Sequence, residues 1–136
     1  MIKVVVFGGS GFLGGHVVDA LSSKGYDVVV FDIKKSNRLP QNAKMVVGDI
    51  LDQNLVTNVM HDCNIVYNFA GIASLDEAQF TPLDTVRYNI LGNTILLESA
   101  RKNKIERFVY ASSLYVYSDQ GSNYSYINNV CLLHPC

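Results

Sequence analysis

Short apolar runs alternate with longer amphipathic stretches along the chain as far as about residue 113. The runs are rich in β-branched and aromatic residues, which favour strands, and they predict strands over residues 2–7, 27–31, 44–47, 64–69 and 107–111. Their near-continuous apolar character is typical of strands buried on both faces of a parallel sheet. The alternation with helical segments therefore predicts an α/β fold with a Rossmann-like, doubly wound parallel sheet.

Helical periodicity and helix-end residues mark the segments between these strands. Apolar residues recur at helical spacing over 12–24, from Asp52 onward, and over 81–102. Gly25 is typical of the residue that ends a helix. Thr81 is expected to be the N-cap of the long third helix, with Pro82 at its first position. Each helix thus connects two predicted parallel strands.

The alternation of strand-like and helix-like segments fails after about residue 113. Residues 119–129 are polar and turn-rich, and residues 130–136 form a short apolar tail. We predict a Rossmann-like dinucleotide-binding domain over 1–118 and an irregular segment over 119–136, so the sheet is expected to be incomplete at its C-terminal end. The abrupt loss of pattern suggests a truncated or frame-shifted end, which sequencing of the downstream coding region would test.

Composition narrows the class of protein. The chain has 136 residues, 49% hydrophobic and 17% charged, which fits one domain with a packed core. A net charge of -1 argues against a nucleic-acid partner, and no apolar run is long enough to predict a membrane span. The N-terminus shows no signal-peptide pattern, and the three scattered cysteines match neither a disulfide framework nor a metal site. A cytoplasmic protein is expected.

The strongest motif is the sequence GGSGFLG at residues 8–14, between the first strand and the first helix. Gly8 permits a tight turn, Gly11 allows the backbone to approach a pyrophosphate, and Gly14 lets the helix pack close to the sheet. The free N–H groups at the start of the helix would hold the phosphates. The cofactor contacts predicted in this loop are Gly8, Ser10, Gly11, Phe12 and Leu13.

An acidic residue at the end of the second strand completes this dinucleotide signature. Asp32 would accept hydrogen bonds from the hydroxyls of the adenine ribose and repel a 2′-phosphate, which favours NAD over NADP. Lys34, Lys35 and Arg38 follow closely and would attract such a phosphate. An NADP-dependent carbonyl reductase of the same fold is therefore kept as an alternative.

Four further segments follow in order: GDI at 48–50, NFAG at 68–71, NILGN at 89–93 and YASSLYVY at 110–117. Together with the glycine loop and Asp32, they make residues 1–117 resemble the extended short-chain dehydrogenase/reductase family, in its NAD-dependent epimerase/dehydratase branch. The resemblance implies that Asp49 and Ile50 hold the adenine. It also implies that Phe69, Ala70 and Gly71 line the cofactor near the nicotinamide ribose. Asn89 in the long helix is counted with the cofactor-binding residues.

The resemblance also implies a reaction. The substrate would be a nucleotide sugar, and its first step the oxidation of a sugar hydroxyl by bound NAD. Ser113 matches the catalytic Ser/Thr, and Tyr124 is the candidate for the tyrosine of the Tyr-x-x-x-Lys pair. Residue 128, however, is Asn, and no lysine follows Lys104.

A tyrosine with no neighbouring cation stays mostly protonated at neutral pH, so we expect little turnover. A non-catalytic dinucleotide-binding module is the second interpretation. The resemblance further allows a homodimer through the helix at 81–102, although the apolar stripe of that helix could equally face only its own sheet.

Overall fold

The computed structural model describes residues 1–112 and the backbone of residues 130–133. Helical segments separate most of the consecutive strands in residues 1–112, as the sequence pattern predicts, although no helix lies between the second and third strands. In chain order they are β1 Lys3–Phe7, α1 Phe12–Ser23, β2 Asp27–Asp32, β3 Ala43–Val47, α2 Gln53–Val59, β4 Ile65–Asn68, α3 Leu75–Phe80, α4 Pro82–Val86, a π-helical turn Arg87–Gly92, α5 Asn93–Lys102, β5 Arg107–Ala111 and β6 Val130–Leu133.

The strands form one sheet in the order β3-β2-β1-β4-β5-β6. Strands β1 to β5 are parallel, and β6 pairs antiparallel with β5. The chain leaves β1 toward β2 and β3 on one side, and it returns to β4 and β5 on the other. The loops that follow β1 and β4 therefore diverge at the carboxyl ends of these neighbouring strands, where open α/β sheets bind their ligands. This topology confirms the predicted doubly wound sheet.

Helices cover both faces of the sheet, and the period-two alternation of β1 shows how. Val4 and Val6 pack with Val18 of α1 on one face, whereas Val5 and Phe7 belong to a second cluster on the other. That second cluster also includes Val56 of α2 and Leu96 of α5, both fully buried. Each fully buried side chain of this size stabilises the fold by about 1.5–3 kcal/mol. The two clusters hold the ends of the strands, and thus the loops of the site, in place.

The predicted single helix over 81–102 is interrupted. It begins at Pro82, as expected, but a π-helical turn over Arg87–Gly92 separates α4 from α5, and the short helix α3 precedes it. The Thr81 hydroxyl donates to the Glu77 carbonyl at 2.9 Å and does not cap α4. The hydroxyl bonds to Glu77 because Thr81 directly follows the last turn of α3, where carbonyls without a helical partner are within reach.

The tail differs from the irregular segment expected over 119–136. Val130–Leu133 form a strand on β5, with Phe108 opposite Leu133 and Ala111 opposite Val130. The edge of β5 presents unpaired backbone groups that a short apolar run can satisfy. A run of four apolar residues is too short for its periodicity to predict a strand. The division of the chain at residue 118 stays a prediction.

None of the helices within residues 1–112 combines the length and the apolar character that crossing a membrane requires.

Candidate functional site

The glycine loop makes a tight turn directly after β1. Gly8 has φ +73°, its N–H donates to the Phe31 carbonyl at 2.9 Å, and its own carbonyl accepts from Gly11 N–H at 3.1 Å. A Cβ at Gly8 would lie 2.6 Å from the Ala70 nitrogen and from the Phe69 carbonyl carbon. Both the left-handed backbone and this contact require glycine. The loop after β4 therefore lies against the glycine loop.

The first turn of α1 offers free backbone donors to a ligand. Its first intrahelical bond runs from Gly15 N–H to the Gly11 carbonyl, and the amides of Phe12, Leu13 and Gly14 have no hydrogen-bond partner among the described residues. The turn carries no acidic side chain. Unpaired N–H groups at the positive end of a helix dipole favour an anion such as a phosphate. This part of the site therefore fits the pyrophosphate of a dinucleotide.

Asp32 is held in place by backbone amides of the two loops beside it. Its Oδ2 accepts from Ser10 N–H and its Oδ1 from Lys34 N–H, both at 3.0 Å. The Ser10 hydroxyl donates to the Lys34 carbonyl at 2.8 Å. A carboxylate has about four acceptor positions, so each oxygen can still accept from a hydroxyl of a ligand. The carboxylate is thus oriented at the end of β2, beside the glycine loop.

A sheet-edge cleft of about 420 Å³ passes over the carboxyl ends of the strands. It extends from Asp32 and Ile50 past Gly8 to Ala70 and Gly71. The segment from α3 to the π-helical turn forms its outer wall and contributes Glu77, Thr81, Asp84 and Tyr88. Cofactor pockets typically occupy about 300–1,000 Å³ and lie at such a switch in strand order. The cleft therefore has the position and size expected of a dinucleotide site.

An outer cleft of about 630 Å³ adjoins it, between α1 and the segment that follows β2. Lys34, Lys35 and Arg38 line it, and Asp32 and Lys34 line both clefts. The largely exposed Phe12 ring also lines the outer cleft and packs edge-on against His16, with 4.9 Å between the ring centroids. A phosphate on the 2′-oxygen of a ribose held by Asp32 would meet both this carboxylate and the nearby cations.

The structure brings most of the predicted cofactor residues to these clefts. The residues at the sheet-edge cleft are Gly8, Gly11, Asp32, Ile50, Phe69, Ala70 and Gly71, and those at the outer cleft are Ser10, Gly11, Phe12 and Asp32. Leu13, Asp49 and Asn89 line neither cleft, and the Asp49 carboxylate accepts from Leu51 N–H at 2.9 Å. The predicted catalytic residues Ser113 and Tyr124 lie outside the described residues. The binding and catalytic roles stay predictions.

Asn89 holds the loop that follows β4. Its Oδ1 accepts from Ile72 N–H at 2.8 Å, and its Nδ2 donates to the Ile72 carbonyl at 2.9 Å. Gly71 lies beside this pair with φ +151°, and a Cβ there would be 2.6 Å from the Asn89 Oδ1. Gly71 thus permits the close approach of the π-helical turn. In this structure Asn89 acts on the wall of the cleft through Ile72.

A second asparagine contact of the same loop escaped the sequence analysis. Asn68, at the end of β4, donates from its Nδ2 to Asn93 Oδ1 at 3.0 Å and accepts from Ala70 N–H at 3.0 Å. Asparagine is unfavourable inside a helix, so its presence at 93 was a signal that could have been used. The sequence does not show that Asn68 is the partner of Asn93, because the two residues belong to different elements. Within residues 1–112, no three His, Cys, Asp or Glu side chains converge as metal ligands would.

Comparison with known proteins agrees with this geometry. A family model described as the NAD dependent epimerase/dehydratase family matches residues 4–135, so the similarity extends past the last motif at residue 117. The chain is 33% identical over 131 residues to a UDP-glucose 4-epimerase of Klebsiella pneumoniae, covering 88% of this chain and 94% of that one. It spans 36–40% of the length of seven further UDP-glucose 4-epimerase sequences.

Solved structures show the same relationship. The UDP-glucose 4-epimerase of Thermotoga maritima, solved with UDP-glucose, superposes with a TM-score of 0.77 at 32% identity, over 82% of this chain and 38% of that chain. The Brucella ovis UDP-glucose 4-epimerase, solved with NAD, gives 0.76 at 31% identity, over 86% and 37%. The family match covers nearly the whole chain and includes the glycine loop and Asp32. The chain belongs to the NAD-dependent epimerase/dehydratase family.

Proposed function

We propose that the chain is the NAD-binding part of an NAD-dependent nucleotide-sugar epimerase or dehydratase. The observation that carries the proposal is the hydrogen bond from Ser10 N–H to Asp32, because it holds the carboxylate that would bind the ribose beside the turn that would bind the pyrophosphate. The two groups that a dinucleotide needs are thereby set at a constant separation. The relatives solved with NAD or named as UDP-glucose 4-epimerases support the same assignment.

The described residues divide the binding of NAD between the two halves of the sheet. Asp32 would accept hydrogen bonds from the adenine ribose, and Ile50 would support the adenine ring. The free amides of Phe12 and Leu13 would hold the pyrophosphate. Because β4 lies on the other side of β1, the loop at Ala70 would meet the nicotinamide half. When bound, NAD supplies the acceptor for a hydride.

The proposed reaction of the whole protein begins with oxidation of a sugar hydroxyl to a ketone. Ser113 would donate a hydrogen bond to the reacting oxygen, and Tyr124 would be its acid/base partner. A nucleotide sugar such as UDP-glucose is the proposed substrate, because the similar epimerases carry it in their names. The chain spans well under half of the length of most of these relatives. The binding of the sugar is therefore proposed for the whole protein.

A non-catalytic NAD-binding module is the second candidate. It is favoured by the sequence after Lys104, which contains no lysine to pair with Tyr124. We therefore expect this chain to bind NAD without turning over UDP-glucose or UDP-galactose, as measured by NADH absorbance and by chromatography of the sugar products. Turnover at rates usual for enzymes, about 1–1,000 s⁻¹, would contradict the non-catalytic assignment.

Calorimetric titration of the 136-residue chain with NAD, NADP and AMP tests the binding proposal. We expect saturable binding of NAD, weaker binding of NADP because Asp32 repels the 2′-phosphate, and measurable binding of AMP through the adenosine side. Preferential binding of NADP would favour the carbonyl-reductase alternative, with Lys34, Lys35 and Arg38 of the outer cleft as the phosphate ligands. No binding of any nucleotide would overturn the proposal.

We also propose that the outer face of α3, α4 and the π-helical turn forms a homodimer contact. Phe80 and Leu83 are 83% and 80% exposed, and Leu83, Val86 and Ile90 lie at helical spacing on one stripe. Exposed apolar stripes of this kind mark interaction surfaces. In a dimer with two-fold symmetry, the stripe of one copy would pack against the same stripe of the other, so both would be buried.

Sedimentation velocity tests the dimer. Wild type is expected to sediment as a dimer at micromolar concentration, and Leu83→Lys with Ile90→Lys as a monomer. Leu39→Lys, which places the same charge at an exposed apolar residue outside the stripe, should leave the dimer intact. A wild type that is monomeric at all accessible concentrations would contradict the homodimer, and the exposed face would then have to bind a different partner.

A further inference from the structure

Two asparagines of the segment after α4 each hold one point of the polypeptide that ends β4. Asn89 bonds both backbone groups of Ile72, and Asn93 accepts from the Asn68 side chain at 3.0 Å. The two helical residues are four apart, as are their two partners. The polypeptide from 68 to 72 is therefore fixed at both ends by side-chain amides.

The contact at Asn93 is transmitted to a cleft residue. Asn68 is 7% exposed, and its amide group is used on both sides: Nδ2 donates to Asn93, and Oδ1 accepts from Ala70 N–H. Without the Asn93 oxygen, the Asn68 Nδ2 would lose the one partner it has among the described residues. A buried donor without a partner is costly, so the side chain would turn to find another. Any such turn releases the Ala70 amide.

Ala70 in turn lies directly on the glycine loop. A Cβ at Gly8 would meet the Ala70 nitrogen at 2.6 Å, so the two backbones touch with no side chain between them. Ala70 and Gly8 both line the sheet-edge cleft. A displacement of Ala70 therefore changes the width of the cleft on the β4 side of the sheet. The adenosine side, built on β2 and β3, has no contact with Asn68 or Asn93 in the hydrogen bonds of residues 1–112.

The helix carries two locally unfavourable features where these contacts form. Asparagine lowers helix propensity at both 89 and 93. The turn that contains Asn89 and ends just before Asn93 is π-helical, a geometry that is rare and frequent at functional sites. Residues that are unfavourable in a helix, but that tertiary contacts hold in place, are typical of functional sites.

We infer that Asn93 is a positioning residue that acts through Asn68 to hold the Ala70 loop for the nicotinamide half of the cofactor. The inference rests on the proposal that NAD binds in the sheet-edge cleft. It predicts an effect confined to one half of the ligand. A variant at Asn93 should weaken binding of NAD, which spans the cleft, and spare binding of AMP, which occupies only the adenosine side.

The test compares NAD and AMP binding by calorimetry in the 136-residue chain. Asn93→Leu, of similar size but without the acceptor, should raise the Kd for NAD by about tenfold and leave the Kd for AMP within about twofold. Asn93→Asp keeps an acceptor oxygen at the same place and should recover most of the NAD affinity. AMP binding also reports that each variant is folded. Asn93→Ser, which is too short to reach Asn68, is the second variant should the Leu variant fail to fold.

Asn103→Leu is the matched control on the same helix. Its Nδ2 donates to the carbonyls of Thr57 and Ser99 at the far end of α5, so its loss should lower stability without changing the Kd for NAD. An Asn93→Leu variant that binds NAD like wild type, or that loses NAD and AMP equally, would overturn the inference. A wild-type chain that binds AMP but not NAD would instead overturn the proposed function.

Discussion

The Ser10 backbone N–H donates to the Asp32 carboxylate at 3.0 Å, which joins residues 22 positions apart in the chain. The loop after β1 and the end of β2 are thereby held in one arrangement, and the Ser10 hydroxyl adds a second link to Lys34. A dinucleotide would therefore find the proposed phosphate-binding turn and the proposed ribose acceptor already oriented. Preorganisation of this kind lowers the ordering cost of binding.

Asp32→Asn tests the role of the charge with little change in shape. The amide keeps one acceptor oxygen, so it can accept from only one of the two backbone N–H groups that the carboxylate binds, and it no longer repels a 2′-phosphate. We expect NAD affinity to fall by about fivefold and the preference for NAD over NADP to shrink, measured by titration with both cofactors. Asp62→Asn, at an exposed carboxylate beside the opposite ends of the strands, is the control. An unchanged preference between the cofactors would contradict the assignment of Asp32.

Gly8→Ala tests the contact between the glycine loop and the loop after β4. Alanine there combines left-handed backbone strain with a clash against Ala70 and Phe69, so the free energy of unfolding should fall by about 3 kcal/mol or more. Gly25→Ala is the control, because Gly25 has φ +80° but open space around its Cβ position, and should cost only about 1 kcal/mol. Urea unfolding followed by circular dichroism measures both. Equal losses would show that the contact is not tight.

Acid titration tests the ion pair on α5. Hydrogen bonds from Arg101 at 2.8 and 2.9 Å, with the nearby charges of Arg101 and Lys102, lower the pKa of Glu98 from 4.5 to about 2. A carboxylate with a lowered pKa in the folded state adds stability above pH 4.5 and loses it as the pH falls toward 2. Arg101→Gln should therefore be less stable than wild type at pH 6 and equal to it near pH 2. The pair is exposed, so the difference is small.

Carbon-13 NMR of the Glu98 carboxyl distinguishes the contributions of Arg101 and Lys102 to its lowered pKa. Arg101→Gln should raise the pKa of Glu98 most of the way to its ordinary value, and Lys102→Gln only slightly, because the bond from Arg101 is the largest cause. A larger effect of the Lys102 variant would refute this ranking.

Thiol alkylation tests the burial of Cys63. Desolvation raises the pKa of this thiol, and its Sγ donates to the Ile65 carbonyl at 3.1 Å. Because the thiolate is the reactive form, native protein should resist iodoacetamide at Cys63 at pH 7, while urea-unfolded protein reacts readily. Peptide mass spectrometry gives the site-specific rates. Rapid modification in the native state would show that this part of the core opens easily.

The fold was predictable because its signals are local. Strands such as β1 and β2 are uninterrupted apolar runs, and the glycine loop with Asp32 is a contiguous pattern in the expected strand-turn-helix context. The π-helical turn was not predictable, because the residues Arg87–Gly92 have the same polar and apolar spacing that an α-helix would have. Strand β6 exists only through its pairing with β5, which no local pattern encodes.

The site was predictable to the extent that single motifs define it. Asp32, Gly8 and Gly71 belong to local sequence motifs, and all three line the sheet-edge cleft. The pair of Asn68 and Asn93 is a tertiary contact between residues 25 apart and needed the structure. The same holds for Glu77 and Tyr88 in the outer wall, because the position of α3 and α4 over the cleft follows from packing rather than from sequence pattern.

Calorimetric titration of the 136-residue chain with NAD decides whether the chain is a dinucleotide-binding domain. We expect saturable one-to-one binding that is tighter for NAD than for NADP and is weakened by Asp32→Asn. An absence of heat and of any ligand-induced rise in Tm at millimolar NAD, with the chain folded by circular dichroism, would contradict it.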